Sequence, residues 1–90
     1  MNSIIIDNKD NVAMTLCDIK LGDLCTYSVN GEPFSVKAYS DIPVFHKFAI
    51  KDINKECPVI KYGEIIGIAK NNIYAGEHVH IHNIYSEVDL

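Results

Sequence analysis

One short pattern that turns the chain occurs three times in the sequence, first as Asp18-Ile19-Lys20-Leu21-Gly22-Asp23 and again at residues 52–57 and 72–77. In each copy an Asp or Asn is followed by Ile, two variable positions, usually Gly, and often an acid. The Asx side chain can cap a single helical or 3₁₀ turn, the Ile can enter the core, and Gly supplies a positive φ at the exit. Unless these are three ordinary turns, they predict a compact, folded-over β structure.

Short apolar or alternating runs between these turns predict strands, and helical periodicity is almost absent. Asn30-Gly31 predicts a type I′ hairpin because both residues tolerate positive φ, and Gly63-Glu64 suits a second tight turn. The predicted strands are residues 3–7, 12–17, 24–29, 34–38, 47–50, 59–61, 65–69 and 79–84. Ninety residues suffice for one domain, 1–90, so the predicted fold class is all-β with short one-turn helical corners.

Charge and hydropathy argue against several functional classes. The net charge is −4, and the eight basic residues are all lysines scattered between Lys9 and Lys70, which argues against a nucleic-acid partner. No apolar run is long enough to span a bilayer, and the N-terminus lacks the pattern of a secretory signal, so we expect a cytoplasmic protein without a membrane partner. The irregular spacing of Cys17, Cys25 and Cys57 predicts reduced, mostly buried thiols rather than metal or redox ligands.

The C-terminal part of the chain contains three alternating histidines. If the segment of residues 76–83 is extended as a strand, Val79 and Ile81 would enter the core, whereas His78, His80 and His82 would share the opposite face. Histidines two residues apart on a strand are separated by about 6.5–7 Å, and two such imidazoles can converge on one divalent ion. The alternative is a solvated surface, because this spacing alone is a weak metal signal.

The fourth histidine, His46, follows Pro43 in the sequence. A lone histidine there is typical of a turn or packing residue, and it gains interest only if the fold brings it beside the other three. The chain contains no phosphate-binding glycine loop and no serine-nucleophile motif. A chain of ninety residues is too small to form the deep cleft between layers that a complete active site usually needs. We therefore expect any chemistry to occur in a site shared with another chain.

Several ordered blocks of the sequence resemble one known family. They are His46-Lys47-Phe48-Ala49 within residues 46–53, the Ile-Lys-Tyr-Gly block within 58–63, residues 66–69, and residues 75–83 with the terminal His-Ile-His-Asn. They closely match the SAF-type N-terminal domain, or separate small subunit, of the altronate and galactarate dehydratases. The start of the chain, from residue 10 to residue 23, is similar to the opening motif of the family. The resemblance covers residues 8–84 and implies a small SAF-type β-clip domain.

The family resemblance implies a function as well as a fold. It implies dehydration of hexarate or hexonate sugar acids to 2-keto-3-deoxy acids, dependent on a divalent metal such as Fe²⁺ or alternatively Mn²⁺. It also implies a large catalytic dehydratase subunit as partner, with this chain as the small subunit. The motifs are equally similar to those of the small subunit of (2R)-sulfolactate sulfo-lyase, which eliminates sulfite. A non-catalytic carbohydrate-binding SAF module and a metal-binding accessory protein remain alternatives.

The resemblance also assigns roles to single residues. His80 and His82 would bind the metal or the edge of the substrate, and His46 would act as an acid/base or contact the substrate. Asn83 and Lys61 would bind the substrate, although a solvated surface lysine is the more common role for a residue such as Lys61.

Two positions depart from the family pattern. Phe45 and Glu56 stand where relatives usually have Gly. The first departure puts the backbone geometry beside His46 in question. The second predicts a corner that exits without positive φ or is rebuilt around Cys57-Pro58.

Overall fold

The structure, a computed structural model, describes residues 1–86. The predicted all-β class is confirmed. The predicted one-turn helical corners are wrong, because within residues 1–86 the chain forms β-turns at these corners and no helical turn. The predicted extent of a single domain over 1–90 stays a prediction, and residues 87–90 lie outside the described part. The strands are β1 (Ser3–Ile4), β2 (Val12–Thr15), β3 (Leu24–Val29), β4 (Glu32–Lys37), β5 (Lys47–Ala49), β6 (Pro58–Lys61), β7 (Glu64–Ala69), β8 (His78–Val79) and β9 (Ile84–Ser86).

All strand pairs are antiparallel and form three sheets, with strand orders β1-β2-β5-β8, β3-β4 and β6-β7-β9. The Asn30-Gly31 hairpin is confirmed, since both residues have positive φ, 52° and 82°. The second tight turn is centred one residue earlier than predicted, on Tyr62-Gly63 with φ of 60° and 72°. Within residues 1–86, no helical segment has the length and hydropathy needed to span a bilayer.

Two hydrophobic clusters lie on opposite faces of the four-stranded sheet, because successive side chains along a strand alternate faces. On β2, Val12 joins one cluster and Ala13 the other, and on β5 the same alternation separates Ala49 from Phe48. The first cluster consists of Val12, Ala49, Ile53, Val59, Ile66, Ala69, Ile73, Val79 and Ile84. The second consists of Ala13, Ile19, Cys25, Tyr27, Ala38, Ile42 and Phe48.

All three cysteines are free thiols, as predicted, but they are not mostly buried. Cys25 lies in the second cluster, and burial raises the pKa of its thiol to about 11. Cys17 and Cys57 are exposed. Only Cys25 therefore behaves as a small apolar core residue.

The repeated turns form four corners rather than three: corner 1 (residues 18–23), corner 2 (41–46), corner 3 (52–57) and corner 4 (72–77). The corners pair through antiparallel bridges, Ile19 with Ile42 and Ile53 with Ile73, and all four Ile side chains are buried. In each bridge the two residues exchange both backbone hydrogen bonds, at 2.7–2.9 Å. The predicted burial of Ile in each of the three repeats is confirmed.

The Asx side chains cap the partner corner and not their own turn. Asp18 Oδ1 accepts a hydrogen bond from the Val44 N–H at 2.9 Å, and Asp41 Oδ1 accepts one from the Leu21 N–H at 2.8 Å. Corners 3 and 4 repeat this exchange through Asp52 and Asn72. The prediction that each Asx caps its own turn is therefore wrong. Each corner depends on its partner, which is distant in sequence.

The fifth position of every corner has positive φ, including the two positions that lack glycine. Gly22 and Gly76 have φ of 92° and 93°, whereas Phe45 has 65° and Glu56 has 72°. The prediction that corner 3 exits without positive φ, or is rebuilt, is therefore wrong. The bridge and the partner's Asx side chain hold the backbone in the left-handed region in spite of the side chain at this position.

Candidate metal centre

The three C-terminal histidines lie around a turn and not along one strand. The predicted strand over 79–84 is wrong, because β8 ends at Val79 and β9 begins at Ile84. Asn83 closes the turn between them: its N–H donates to the His80 carbonyl at 3.1 Å, and its Oδ1 accepts from the His80 N–H at 2.9 Å. Its Nδ2 also donates to the His78 carbonyl at 2.8 Å. Val79 is buried as predicted, but Ile81 is 64% exposed and does not enter the core.

The histidine rings nevertheless gather on one side of the chain. The His78 ring lies 5.6 Å from the His80 ring and 5.3 Å from the His82 ring, measured between centroids. The predicted convergence is therefore found, but a turn produces it rather than the alternation of a strand.

His46 joins this group from corner 2. Its ring lies 4.8 Å from that of His80 and 5.0 Å from that of His78, and its Nδ1 is 2.8 Å from His78 Nε2. The pairing of Phe48 with His78 between β5 and β8 brings the two segments together. The condition under which His46 gains interest, proximity to the other histidines, is met.

Three of the four histidines can hold a metal ion. One nitrogen from each of His46, His78 and His80 lies within 4.8 Å of the others, and no Asp, Glu or Cys of residues 1–86 completes this group. Nitrogens bound to one tetrahedral zinc lie roughly 3.4 Å apart, so small side-chain adjustments suffice. His80 Nδ1 is buried without a hydrogen-bond partner, which leaves a lone pair or a proton unused. The donor set therefore fits a divalent ion.

Of the two predicted ligands, His80 belongs to this three-histidine group, and its assignment as a ligand stays a prediction. His82 is exposed and lies outside the three-histidine group, and its assignment as a ligand stays a prediction. The sequence did not single out His78 as a ligand. The alternation of histidines was the available signal, but it could not say which of them would face His46.

Burial and neighbouring positive charge keep two of the histidines neutral. Burial, followed by the proximity of His46 and the other histidines and of Lys47, lowers the pKa of His78 to about 4. Burial, His46 and Lys47 also lower the pKa of His80. Neutral imidazoles have a lone pair available for a metal, so these shifts favour ligation over protonation near pH 7.

Lys47 is a buried cation that the sequence analysis did not assign. Its side chain is only 7% exposed, and burial, with the charge of Lys61, lowers its pKa. Lys61 is half-buried, with its Nζ 4.8 Å from the centre of the Tyr62 ring, and the structure does not bring it into the histidine group. Asn83 uses both ends of its amide to hold the histidine turn. Substrate binding by Lys61 and Asn83 stays a prediction.

An open cleft of about 560 Å³ adjoins the histidines. The Ser40 hydroxyl, at its wall, accepts a hydrogen bond from the His78 N–H at 3.3 Å. No motif in the sequence indicated the loop after β4 as part of the site. The cleft is lined by Tyr39, Ser40, Tyr74, Glu77, His78 and His82.

Comparison with known proteins decides the family. Residues 1–87 match the family model of the altronate/galactarate dehydratase SAF domain. The chain belongs to this family. The resemblance noted in the sequence is thereby confirmed over nearly the whole chain.

Curated relatives fall into two groups. The chain is 40% identical over 85 residues to altronate dehydratase of Bacillus subtilis and 43% identical over 83 residues to that of Escherichia coli. In both cases 92% of the chain is matched, but only 16% of the relative. It is also 35% identical over 86 residues to (2R)-sulfolactate sulfo-lyase subunit alpha of Chromohalobacter salexigens, covering 90% of the chain and 89% of the relative. These relatives are lyases.

Proposed function

We propose that this SAF domain is the small subunit of a metal-dependent sugar-acid dehydratase and contributes histidines to a site shared with a large dehydratase-type chain. The observation that carries the proposal is the meeting of His46, His78 and His80, drawn from two segments distant in sequence, in a member of the dehydratase SAF family. The altronate dehydratases that it matches extend far beyond the matched segment, which supports a large partner.

The proposed reaction is the elimination of water from a polyhydroxy carboxylate. A base removes the proton on the carbon next to the carboxylate, and the neighbouring hydroxyl leaves as water after taking up a proton. The enol that results tautomerises to a 2-keto-3-deoxy acid. A divalent ion, Fe²⁺ or alternatively Mn²⁺, would supply charge stabilisation to the substrate carboxylate when bound.

The described geometry suggests a distribution of roles that differs from the family-based expectation. His46, His78 and His80 would hold the ion, whereas His82, exposed at the cleft, would exchange protons with the substrate. Histidine suits proton exchange because its side chain titrates near neutral pH. The roles of His46 and His82 are thus exchanged relative to the expectation. Asn83 would act by holding the turn that carries His80.

The sugar acid would enter through the cleft beside His78 and His82. Ser40 and Glu77 offer oxygen atoms to its hydroxyl groups there, although one Glu77 oxygen already accepts from the Tyr74 N–H at 2.9 Å. Lys47 lies close enough to His78 and His80 to lower their pKa values, so its positive charge acts at the histidine group. This field favours an anionic substrate over a neutral sugar. The cytoplasmic location and the lack of a nucleic-acid partner stay predictions of the sequence.

A second candidate is the alpha subunit of a sulfolactate sulfo-lyase. The observation that favours it is coverage, since the chain matches 89% of that relative but only 16% of the altronate dehydratases. The same histidines would then serve the loss of sulfite instead of water.

The test is an assay of the complex. The chain is coexpressed with the large dehydratase-type polypeptide of the same organism, purified anaerobically with Fe²⁺, and assayed with altronate, galactarate and sulfolactate. We expect turnover of one of them and a fall in kcat of about 100-fold or more in His80→Ala, since even the outer partners of metal ligands contribute 10- to 100-fold. Lys9→Ala, an exposed change on the turn after β1, is the control and should leave kcat unchanged.

Two outcomes would contradict the proposal. An undiminished kcat in His80→Ala would remove the histidine group from the active site. Absence of turnover with all three substrates in a stable complex that contains iron would exclude both candidate functions.

A further inference from the structure

We propose that Phe45 and Ile81 are the apolar anchors of a docking surface that surrounds the histidine group and binds the large dehydratase-type chain. This inference rests on the proposed function, because that function supplies the partner. We call the surface the histidine rim and define it as Tyr39, Phe45, Tyr74 and Ile81. All four are large side chains exposed to solvent in the chain by itself.

Phe45 is unfavourable in two ways in the isolated chain. It is 66% exposed, and its φ of 65° lies in the left-handed region, which side chains with a Cβ disfavour. The equivalent positions of corners 1 and 4 are occupied by Gly22 and Gly76, and that of corner 3 by Glu56, a charged residue suited to water. Contact of the Phe45 ring with a partner explains why an aromatic residue stands at this position. Strained residues are typical of functional sites.

Ile81 is presented outward by a turn that the fold holds firmly. It lies between His80 and His82, and the Asn83 amide fixes the turn by hydrogen bonds on both sides. The Lys70 ammonium also donates to the Ile81 carbonyl at 3.1 Å. The backbone that carries the 64% exposed side chain is therefore held in position before any partner arrives. Such preorganisation reduces the entropy lost on binding.

The rim adjoins the histidine group on more than one side. Phe45 directly precedes His46, and Ile81 directly follows His80. Tyr39 and Tyr74 line the cleft together with His78 and His82. A partner that buried these four side chains would exclude water around the metal-binding nitrogens. Aromatic and large aliphatic residues around a desolvated centre are typical of the energetically dominant part of an interface.

The large chain is the occupant that the site requires. Three imidazoles satisfy only part of the coordination of a divalent ion, and no carboxylate of residues 1–86 joins them. The altronate dehydratases match this chain over only 16% of their length, so most of their polypeptide lies outside the matched segment. A chain of that kind can supply the missing groups of the site while it covers the rim.

The test compares two rim variants with two variants of the same residue types elsewhere. Phe45→Ser and Ile81→Ser are matched by Phe34→Ser on β4 and Ile65→Ser on β7, whose side chains are 46% and 50% exposed. The dissociation constant of each for the purified large chain of the same organism is measured by surface plasmon resonance without substrate. We expect about tenfold or greater weakening for each rim variant and less than about twofold for each control.

Phe45→Gly provides a second readout that does not depend on tolerance of serine. Glycine relieves the positive φ, so this variant should unfold at an equal or higher temperature while it binds the large chain about tenfold more weakly. A variant that is merely destabilised would have both a lower unfolding temperature and a lower affinity for the large chain. Opposite or independent changes in stability and binding therefore identify Phe45 as a contact residue.

The outcomes separate this proposal from the proposed function. Equal effects of rim and control variants, or no binding of the wild-type chain, would overturn the docking surface. Self-association that Phe45→Ser abolishes, seen by sedimentation, would also overturn it, in favour of a second copy as occupant. Rim-dependent binding in a complex without lyase activity would support the docking surface and contradict the proposed function alone.

Discussion

Corners 1 and 2 have the same backbone arrangement but end in different chemistry. Ile19 and Ile42 exchange backbone hydrogen bonds across the bridge, and the Asp at the start of each corner caps the other. The two corners therefore have equivalent backbone hydrogen bonds. Their sixth residues, Asp23 and His46, are used in different ways.

The difference begins at the third position of each corner. In corner 1, Asp23 Oδ2 accepts a hydrogen bond from the Lys20 N–H at 3.1 Å, and in corner 4 Glu77 does the same for Tyr74. In corner 2 the third residue is Pro43, which has no N–H to satisfy. The sixth residue therefore has no backbone N–H of the third residue to cap, and the His46 side chain contacts His78 and His80 instead. A proline in a repeated turn thus leaves the sixth residue free to contact the other histidines.

The largest expected effect tests the shared scaffold. Ile42→Ala and Ile19→Ala should each destabilise the chain by about 2–5 kcal/mol, because both side chains are buried in the second cluster. The free energy of unfolding is measured by urea denaturation, with the exposed Ile6→Ala as control and an expected change below about 0.5 kcal/mol. A large difference between the two core variants would show that the corners are not equivalent.

The next effect tests the divergence of the sixth residues. His46→Ala should weaken binding of Zn²⁺, used as a probe ion, by about 100-fold, because a ligand is lost. Asp23→Ala should leave the affinity unchanged and reduce stability by about 1 kcal/mol through loss of the cap. Isothermal titration calorimetry measures the first property and thermal unfolding the second. Equal zinc affinity of His46→Ala and wild type would remove corner 2 from the metal centre.

The smallest expected effect is a pH dependence of the stability. It arises from the histidines that contact His46 of corner 2, and corner 1 has no such group. The folded pKa of His78, about 4, lies below the value of about 6.5 for an unfolded histidine, so the unfolded state binds more protons between these values. Stability should therefore fall as pH decreases from about 7 to 5. His80 acts in the same direction.

The measurement is the Tm of the chain between pH 7 and 5 in the presence of a chelator. His78→Gln should reduce the slope, whereas the exposed Lys20→Gln in corner 1 should retain it. The groups whose charge faces His78 are His46, His82, His80 and Lys47, and all of them disfavour its protonation. A Tm that rises on acidification would contradict the assignment.

The local features of the fold were predictable because each depends on neighbours in sequence. The Asn30-Gly31 hairpin follows from two residues that tolerate positive φ, and the three recognised corners follow from Asx and Ile at fixed spacing, with Gly in two of them. Corner 2 was missed because Phe45 and His46 stand where corners 1 and 4 have Gly and an acid. It forms because Ile42 pairs with Ile19, a contact that local sequence does not reveal.

The sequence by itself determined the β class, the Asn30-Gly31 hairpin, three of the four corners, the family and the presence of four histidines. Only the tertiary structure decided which histidines meet. The strand pairing of β5 with β8 places His46 beside His78, and the Asn83 hydrogen bonds bend the chain so that His80 joins them. The physical reason is the sequence distance over which each effect acts. Turn preferences act over a few residues, whereas a metal site needs several nitrogens within a few ångströms of one another. Only packing between segments distant in sequence brings such nitrogens together.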